Sequence, residues 1–192
     1  GFDKAIFAYG YDGSDELSMS NLVNNSGTVA SDVTGVGTAR WLLAASGYGG
    51  DKAIFAYGLA SGVLSLSNLV SSSGVVSADV TGVGTARRSM AACGYGGDKG
   101  IFGYGIGYSN TTNLVSNVGV VGTDVSGVGT ARKDLAAAKY GGDKGIFGYG
   151  STGSDVSMTN LVSNSGVVAS DVSGVGSTRN NFQSEFKGVD NI

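Results

Sequence analysis

Thr38-Ala39-Arg40, a short apolar run, and then Tyr48-Gly49-Gly50-Asp51-Lys52-Ala53-Ile54-Phe55 return along this chain almost unchanged, with the arginines at 40, 87, 132 and 179. The arginines stand 47, 45 and 47 residues apart, so four copies of one unit fill nearly all 192 residues. A unit of that length is too short to bury a core alone. An array of such units is stable when neighbours complete one another's cores. The copies are bounded at about 3–47, 48–94, 95–139 and 140–186 and are expected to form one domain spanning 1–192.

The copy from Arg87 to Val128 reads as four short strands. Met90-Ala91-Ala92-Cys93 with Tyr95 is the first, and Gly96-Gly97-Asp98 supplies a tight turn of the kind that joins paired strands. Lys99-Gly100-Ile101-Phe102-Gly103-Tyr104-Gly105 is the second, mixing branched and aromatic residues with glycine. Thr112-Asn113-Leu114-Val115 is the third; in sister copies Leu17-Ser18-Met19-Ser20 and Val156-Ser157-Met158-Thr159 alternate apolar and polar with period two. Gly119-Val120-Val121-Gly122-Thr123-Asp124-Val125 is the fourth, and Gly127-Val128-Gly129 turns the chain towards the next Arg. Helix is rejected for Leu42-Leu43-Ala44-Ala45, because only about six residues separate the flanking glycine turns and an ordinary helix needs about ten. Four short strands per unit predict an all-β fold, a β-propeller of four four-stranded blades.

The order Arg, small-residue strand, Gly-Gly, Lys-x-Ile-Phe-x-Tyr-Gly and then Asn-x-Val resembles the kelch repeat in all four copies. The unit departs from that pattern where Tyr9-Gly10, Tyr57-Gly58, Tyr104-Gly105 and Tyr149-Gly150 stand in place of a glycine pair. It also lacks a Tyr on the third strand and a Trp on the fourth, and the only Trp, Trp41, lies elsewhere. Near-identical repeat arrays of this type also resemble those of bacteriophage tail and appendage proteins, which implies an extracellular or virion-associated setting.

The chain begins at the second strand of its first unit, Asp3-Lys4-Ala5-Ile6-Phe7, and ends after a degraded first strand, Arg179-Asn180-Asn181-Phe182-Gln183-Ser184-Glu185-Phe186. Three strands at one end and one at the other predict a ring in which the C-terminal strand closes the first blade. The rivals are a half-ring that pairs with a second copy or belongs to a longer parent chain, and an open solenoid.

No His occurs, which excludes Ser-His-Asp, Cys-His and His-based metal chemistry. Gly35-Val36-Gly37-Thr38-Ala39-Arg40 puts Arg where a dinucleotide loop needs its third Gly. No catalytic residue, cofactor or metal is expected. Asp32, Asp79, Asp124 and Asp171 recur in the fourth strand, and Asp3, Asp51, Asp98 and Asp143 at the hairpin. A residue present in every copy serves what every blade needs, so these Asp are expected to accept turn amides or pair with Arg40, Arg87, Arg132 and Arg179 between blades. The lone Cys93 takes a slot held by Ser46 and Ala138 in sister copies and reads as a small buried side chain.

Function is expected where the copies disagree, in the loops between second and third strands. There Tyr11 and Tyr108 could stack on a sugar while Asp15, Glu16, Asn110 and Asp155 bond its hydroxyls. The predicted partner is a protein or glycan surface, met by a non-enzymatic structural or recognition module. One alternative is a lectin with a sugar site in every blade built on Tyr9, Tyr57, Tyr104 and Tyr149. Another is a glycoside hydrolase or lyase using Asp15, Glu16 and Asp155. Nucleic acid is not expected, because the net charge is −3 and the twelve basic residues are dispersed. No apolar run reaches the length that membrane insertion needs.

Overall fold

A computed structural model describes residues 4–181. They form an all-β protein of four similar small antiparallel sheets packed in sequence. Sheet 1 holds β1 (Ala5–Tyr11) and β2 (Glu16–Val23); sheet 2 holds β3 (Ala44–Tyr48), β4 (Lys52–Ala56) and β5 (Ser67–Val70). Sheet 3 holds β6 (Ala91–Tyr95), β7 (Lys99–Gly103) and β8 (Thr112–Val115), and sheet 4 holds β9 (Ala136–Tyr140), β10 (Lys144–Gly148) and β11 (Thr159–Val162). In sheets 2 to 4 the middle strand pairs with both neighbours. Among the described residues no helix is long and apolar enough to cross a membrane.

Two local signals set these strands. At the hairpin, Gly49 and Gly50 take φ of 60° and 83°, the doubly left-handed turn whose twist matches an antiparallel pair. At the other end of the middle strand, Tyr57 is left-handed (φ 65°) and Gly58 follows at 107°, which halts pairing and turns the chain. Tyr104 and Tyr149 do the same, whereas after left-handed Tyr9 the pairing resumes past an irregularity, Gly10 with Leu17 and Tyr11 with Glu16. A left-handed aromatic residue is held only where tertiary contacts over-determine it.

The core lies between sheets. Tyr48, Ile54, Tyr57, Met90, Phe102 and Val115 fill the space between sheets 2 and 3, and Cys93, Tyr95, Ile101, Tyr104, Leu135, Phe147 and Val162 that between sheets 3 and 4. Small residues let the sheets approach. A Cβ on Gly100 would stand 2.8 Å from Ser46 Oγ, and one on Gly145 2.7 Å from Cys93 Sγ. Burial pushes the Cys93 thiol up to about 12, as befits a packing residue. Backbone hydrogen bonds run from sheet to sheet near the axis, from Ser89 N to Leu42 O (3.0 Å), Asp134 N to Ser89 O (2.9 Å) and Asn181 N to Asp134 O (3.0 Å). At the hairpin end Gly49 N donates to Asp98 O and Gly96 N to Asp143 O, each at 2.7 Å. β3, β6 and β9, with β1, surround an axial cleft of about 500 Å³.

Three expectations need correction. The fourth strand is not regular: two isolated bridges hold it in each sheet, such as Val70↔Val76 and Ser67↔Val80. Four residues there span what three span on β5, so the outer segment bulges and its ladder breaks. The blades are therefore three-stranded, two-stranded in sheet 1, with an irregular outer segment. Secondly, Val156-Ser157-Met158 precede the third strand, which starts at Thr159. After the Tyr149-Gly150 turn the chain bridges back to Lys133 through Ser151, so those residues have no strand opposite them. Thirdly, the described residues do not close a ring: Phe7 is 63% exposed, whereas its equivalents Phe55, Phe102 and Phe147 are at most 6% exposed. The closing strand foreseen at Phe182–Phe186 lies outside the described residues, as does Asp3.

Gly129 and Gly142 have φ of 78° and 80°, but a Cβ on Gly129 would fall 2.4 Å from Asp171 Oδ1, while one on Gly142 meets nothing within 4 Å. Gly142→Ala is expected to cost about 1 kcal/mol, the left-handed penalty alone. Gly129→Ala should lose clearly more in the same thermal unfolding series.

Candidate functional site

The recurrent polar residues converge on one buried clasp in each of sheets 2 to 4. Arg40 is fully buried, and its Nε donates to Tyr57 O (2.9 Å), Nη1 to Thr38 O (3.0 Å) and Nη2 to Asn68 Oδ1 (2.7 Å). Arg132 repeats this on Tyr149 O, Thr130 O and Asn160 Oδ1 at 2.8, 3.0 and 2.7 Å. Arg87 is shifted. Its Nη1 donates to Tyr104 O and Thr111 O, its Nη2 to Asn113 Oδ1, and its Nε has no hydrogen-bond partner among the described residues. In that copy Arg and Asn are 26 residues apart instead of 28, and the shortened loop draws the carbonyls into different places.

The Asn of the clasp fills the outer bulge. Asn68 Nδ2 donates to Ser77 O (3.0 Å) and Asp79 Oδ1 (2.9 Å), and Asn21, Asn113 and Asn160 make the same pair of bonds in their sheets. Asp79 in turn accepts the Thr38 amide (3.0 Å) and hydroxyl (2.7 Å). Asp124 does so from Thr85 and Asp171 from Thr130. Asp32 accepts from Asn21 Nδ2 at 2.7 Å. Arg40 and Asp79 approach only to 4.0 Å, and Arg132 and Asp171 to 3.9 Å. Asp79, Asp124 and Asp171 therefore each accept a turn amide from the connection leading into their own sheet and do not bridge two sheets to an Arg.

The bridge between sheets is aromatic. The Arg40 guanidinium lies 4.2 Å over the Tyr9 ring of the preceding sheet, and Phe55 meets that ring edge-on at 5.5 Å. Arg87 with Phe102 encloses Tyr57, and Arg132 with Phe147 encloses Tyr104. Arg179 stands 3.9 Å over Tyr149 and is itself exposed. Each tyrosine hydroxyl donates to a valine carbonyl of the following connection, Val36, Val83, Val128 or Val175. Tyr57 and Tyr104 are thus buried and occupied, which removes the lectin reading that needs them on the surface. Burial raises Tyr9, Tyr57 and Tyr104, outweighing the arginine beside each and taking Tyr104 to about 12. Burial also pushes Asp79, Asp124 and Asp171 up, but hydrogen bonds from Thr and Asn, with the arginine charge, outweigh it and hold all three below the usual carboxylate value.

The variable loops follow the Tyr-Gly turns, and neighbouring ones meet. Tyr11 is 48% exposed and stacks on Trp41 of the segment leading into β3, ring centres 5.3 Å apart and planes 29° apart. Glu16 pairs with Tyr11 across the β1–β2 hairpin, and Asp15 closes its turn, where exposed Asp12 accepts from Ser14 and Asp15 and is lowered to about 2. Tyr108 is exposed, with its hydroxyl 3.9 Å from where a Cβ on Gly153 would lie in the sheet 4 loop. Asn110 is taken up by the fold: its Nδ2 donates to Gly129 O at 2.7 Å, and it packs on Gly127 as Ser18, Ser65 and Ser157 pack on Gly35, Gly82 and Gly174. Asp155 Oδ1 accepts from Asn180 Nδ2 at 2.5 Å. Asp15 and Glu16 belong to sheet 1 and Asp155 to the sheet 4 loop, so Tyr11 is the candidate whose ring gains an aromatic neighbour. That neighbour, Trp41, was passed over in the sequence, although the other copies have Arg88, Lys133 and Asn180 in its place. The clasp asparagines were passed over too, although Asn21, Asn68, Asn113 and Asn160 recur as regularly as the arginines. The sequence matches no protein-family model and no curated protein, so the likeness to kelch repeats rests on the quoted residues.

Arg132→Ala should cost roughly 3–5 kcal/mol by stranding buried acceptors, seen as a fall in Tm of about 10 °C in a chain of this size. Arg132→Lys, which keeps charge but loses the fork, should restore only part of it. Because Asp79, Asp124 and Asp171 are depressed when folded, their stabilisation is present above the ordinary value of 3.8 and lost as pH falls through the folded values. Tyr57 and Tyr104 are raised, so theirs is present below 10 and lost as pH rises above it. Chemical denaturation across pH should show a plateau with losses in those two windows.

Proposed function

We propose that this protein is a non-catalytic recognition module in a structural role, and that its ligand contact is a glycan stacked on the Tyr11–Trp41 pair. The stacked pair itself carries the reading. Among the described residues it is where the unit breaks its own pattern with two stacked rings, at the seam between the sheet 1 loop and the segment leading into β3. Flat apolar rings beside loop carboxylates and hydroxyls suit a sugar, whose C–H face stacks and whose rim bonds polar groups. Asp15 and Glu16 flank the pair along the β1–β2 hairpin and supply acceptors. The recurrent acids have architectural work, since Asp79, Asp124 and Asp171 each accept bonds from a Thr and an Asn, which leaves recognition to the loops. The repeat supplies a stiff platform, and an extracellular or appendage surface of the kelch-like propeller type is the setting this design fits.

Trp41 is the chain's sole Trp, so its emission reports on the site directly. Titration with a panel of neutral, acidic and amino-sugar oligosaccharides should give a saturable shift for at least one. Tyr11→Ala should weaken that affinity about tenfold, the worth of one aromatic stack, and Tyr108→Ala should leave it within about twofold. No saturable change with any saccharide would overturn the reading.

A further inference from the structure

The hairpin end of the axis, opposite the Tyr-Gly turns, holds a cavity of about 390 Å³ that none of the roles described above uses. Three lysines line it: Lys4 just before β1, Lys99 on β7 and Lys139 on β9. Lys139 breaks the repeat. The same position is Gly47 on β3 and Gly94 on β6, and the Lys139 stem lies over Gly94, its Cδ 3.3 Å from where a Cβ there would stand. Its Nζ donates to Gly97 O at 3.1 Å, which holds the ammonium at the hairpin that leads into Lys99. Asp98 also lines the cavity, yet among the described residues none of the three lysines forms an ion pair with it. By contrast Lys52, the counterpart of Lys99 in sheet 2, stands 3.8 Å from Asp51. The ammonium groups of Lys4 and Lys99 have no hydrogen-bonded or ionic partner among the described residues.

We propose that this cavity is an anion site that takes a tetrahedral oxyanion, a phosphate or sulfate group. Three ammonium groups against one carboxylate give the lining a positive charge in a chain whose net charge is −3. Like charges gathered on one cleft repel one another, and a cleft walled by protein focuses their field, so a dianion that enters offsets the repulsion. The lysines come from sheets 1, 3 and 4, on different sides of the axis, which suits oxygens that point in several directions rather than the two of a planar carboxylate. β3, β6 and β9 are edge strands of their sheets and border the same cavity, so unpaired backbone N–H groups add to the donors. The mouth is shaped in advance. Gly49 N bonds to Asp98 O and Gly96 N to Asp143 O, so neighbouring hairpins are tied together before a ligand arrives. The volume lies in the range of small-molecule sites, which leaves room for an oxyanion on a sugar-sized carrier as well as for the free ion. The site lies at the end of the sheets remote from the Tyr11–Trp41 pair and does not depend on what that pair binds.

Isothermal titration calorimetry of the intact chain at low ionic strength, with inorganic phosphate, inorganic sulfate and glucose 6-phosphate as separate titrants, should give saturable binding of at least one. Added salt should weaken it. Tighter binding of glucose 6-phosphate than of inorganic phosphate would support the site with an organic carrier, and equal affinities would support it with the free ion. Lys139→Met keeps the stem over Gly94 and removes the charge, and it should weaken binding about tenfold with an unchanged far-ultraviolet circular dichroism spectrum. Lys99→Met should do the same. Lys144→Met, at the exposed counterpart of Lys99 on β10 and away from the cavity lining, should stay within about twofold of the parent. No saturable binding of any of the three titrants would overturn the proposal, as would binding that Lys139→Met and Lys99→Met both leave unchanged. Tyr11→Ala should not alter these titrations, and their failure would leave the Trp41 emission titration with saccharides standing on its own.

Discussion

A buried guanidinium with no carboxylate within hydrogen-bond distance is the constraint on which this structure depends. Arg40 and Arg132 lie fully inside the protein, yet the nearest carboxylates are 3.9 to 4.0 Å away and are themselves engaged by Thr and Asn. Removing such a charge from water costs several kcal/mol unless every donor is met. It is offset by carbonyls from two points on the chain, an asparagine oxygen and the face of a tyrosine from the preceding sheet. All these groups must be in place together. The arginine therefore ties the loop before a sheet, its middle strand, its third strand and its neighbour into one arrangement, and a chain rich in glycine acquires a rigid frame.

The same constraint accounts for the irregular outer segment. Asparagine points inward to meet the arginine, and its amide nitrogen then needs two acceptors, which a bulged segment provides through one carbonyl and one aspartate oxygen. A regular strand would offer the wrong spacing. The bulge also finishes each sheet with an edge poorly shaped for accidental pairing. Copy three, with its loop two residues shorter, keeps the clasp but leaves Arg87 Nε unmet among the described residues, which shows how closely loop length is coupled to the buried fork.

With the recurrent polar residues so occupied, differences in surface chemistry fall to positions that vary. Trp41, Arg88, Lys133 and Asn180 stand at one register position, each just after a clasp arginine. Trp41 meets the Tyr11 ring and Asn180 meets Asp155, both in the loop of the preceding sheet. Here the frame is indifferent to side-chain identity, because the backbone alone makes the bonds, as from Trp41 N to Leu59 O and from Lys133 N to Ser151 O. Surface chemistry can therefore change from seam to seam while the architecture stays constant.

What the sequence by itself determined is the unit: its length, its all-β character, the glycine hairpins and the structural role of residues present in every copy. Periodicity and turn chemistry act over a few residues, so Gly49-Gly50 and the alternation around Ile54 and Phe55 were legible without coordinates. The Arg and Asp positions were legible as structural, and Asp79, Asp124 and Asp171 as acceptors of turn amides, but the expected bridge from Arg to Asp between sheets became an Arg on a Tyr ring. Only the tertiary structure decided that Asn68 and its relatives join the clasp, that Tyr9, Tyr57, Tyr104 and Tyr149 sit left-handed, and that Trp41 finds Tyr11. Those outcomes depend on the rotation between packed sheets and on contacts between residues about 30 apart, and both arise from how neighbouring units fit together, a quantity that no single copy of the repeat contains.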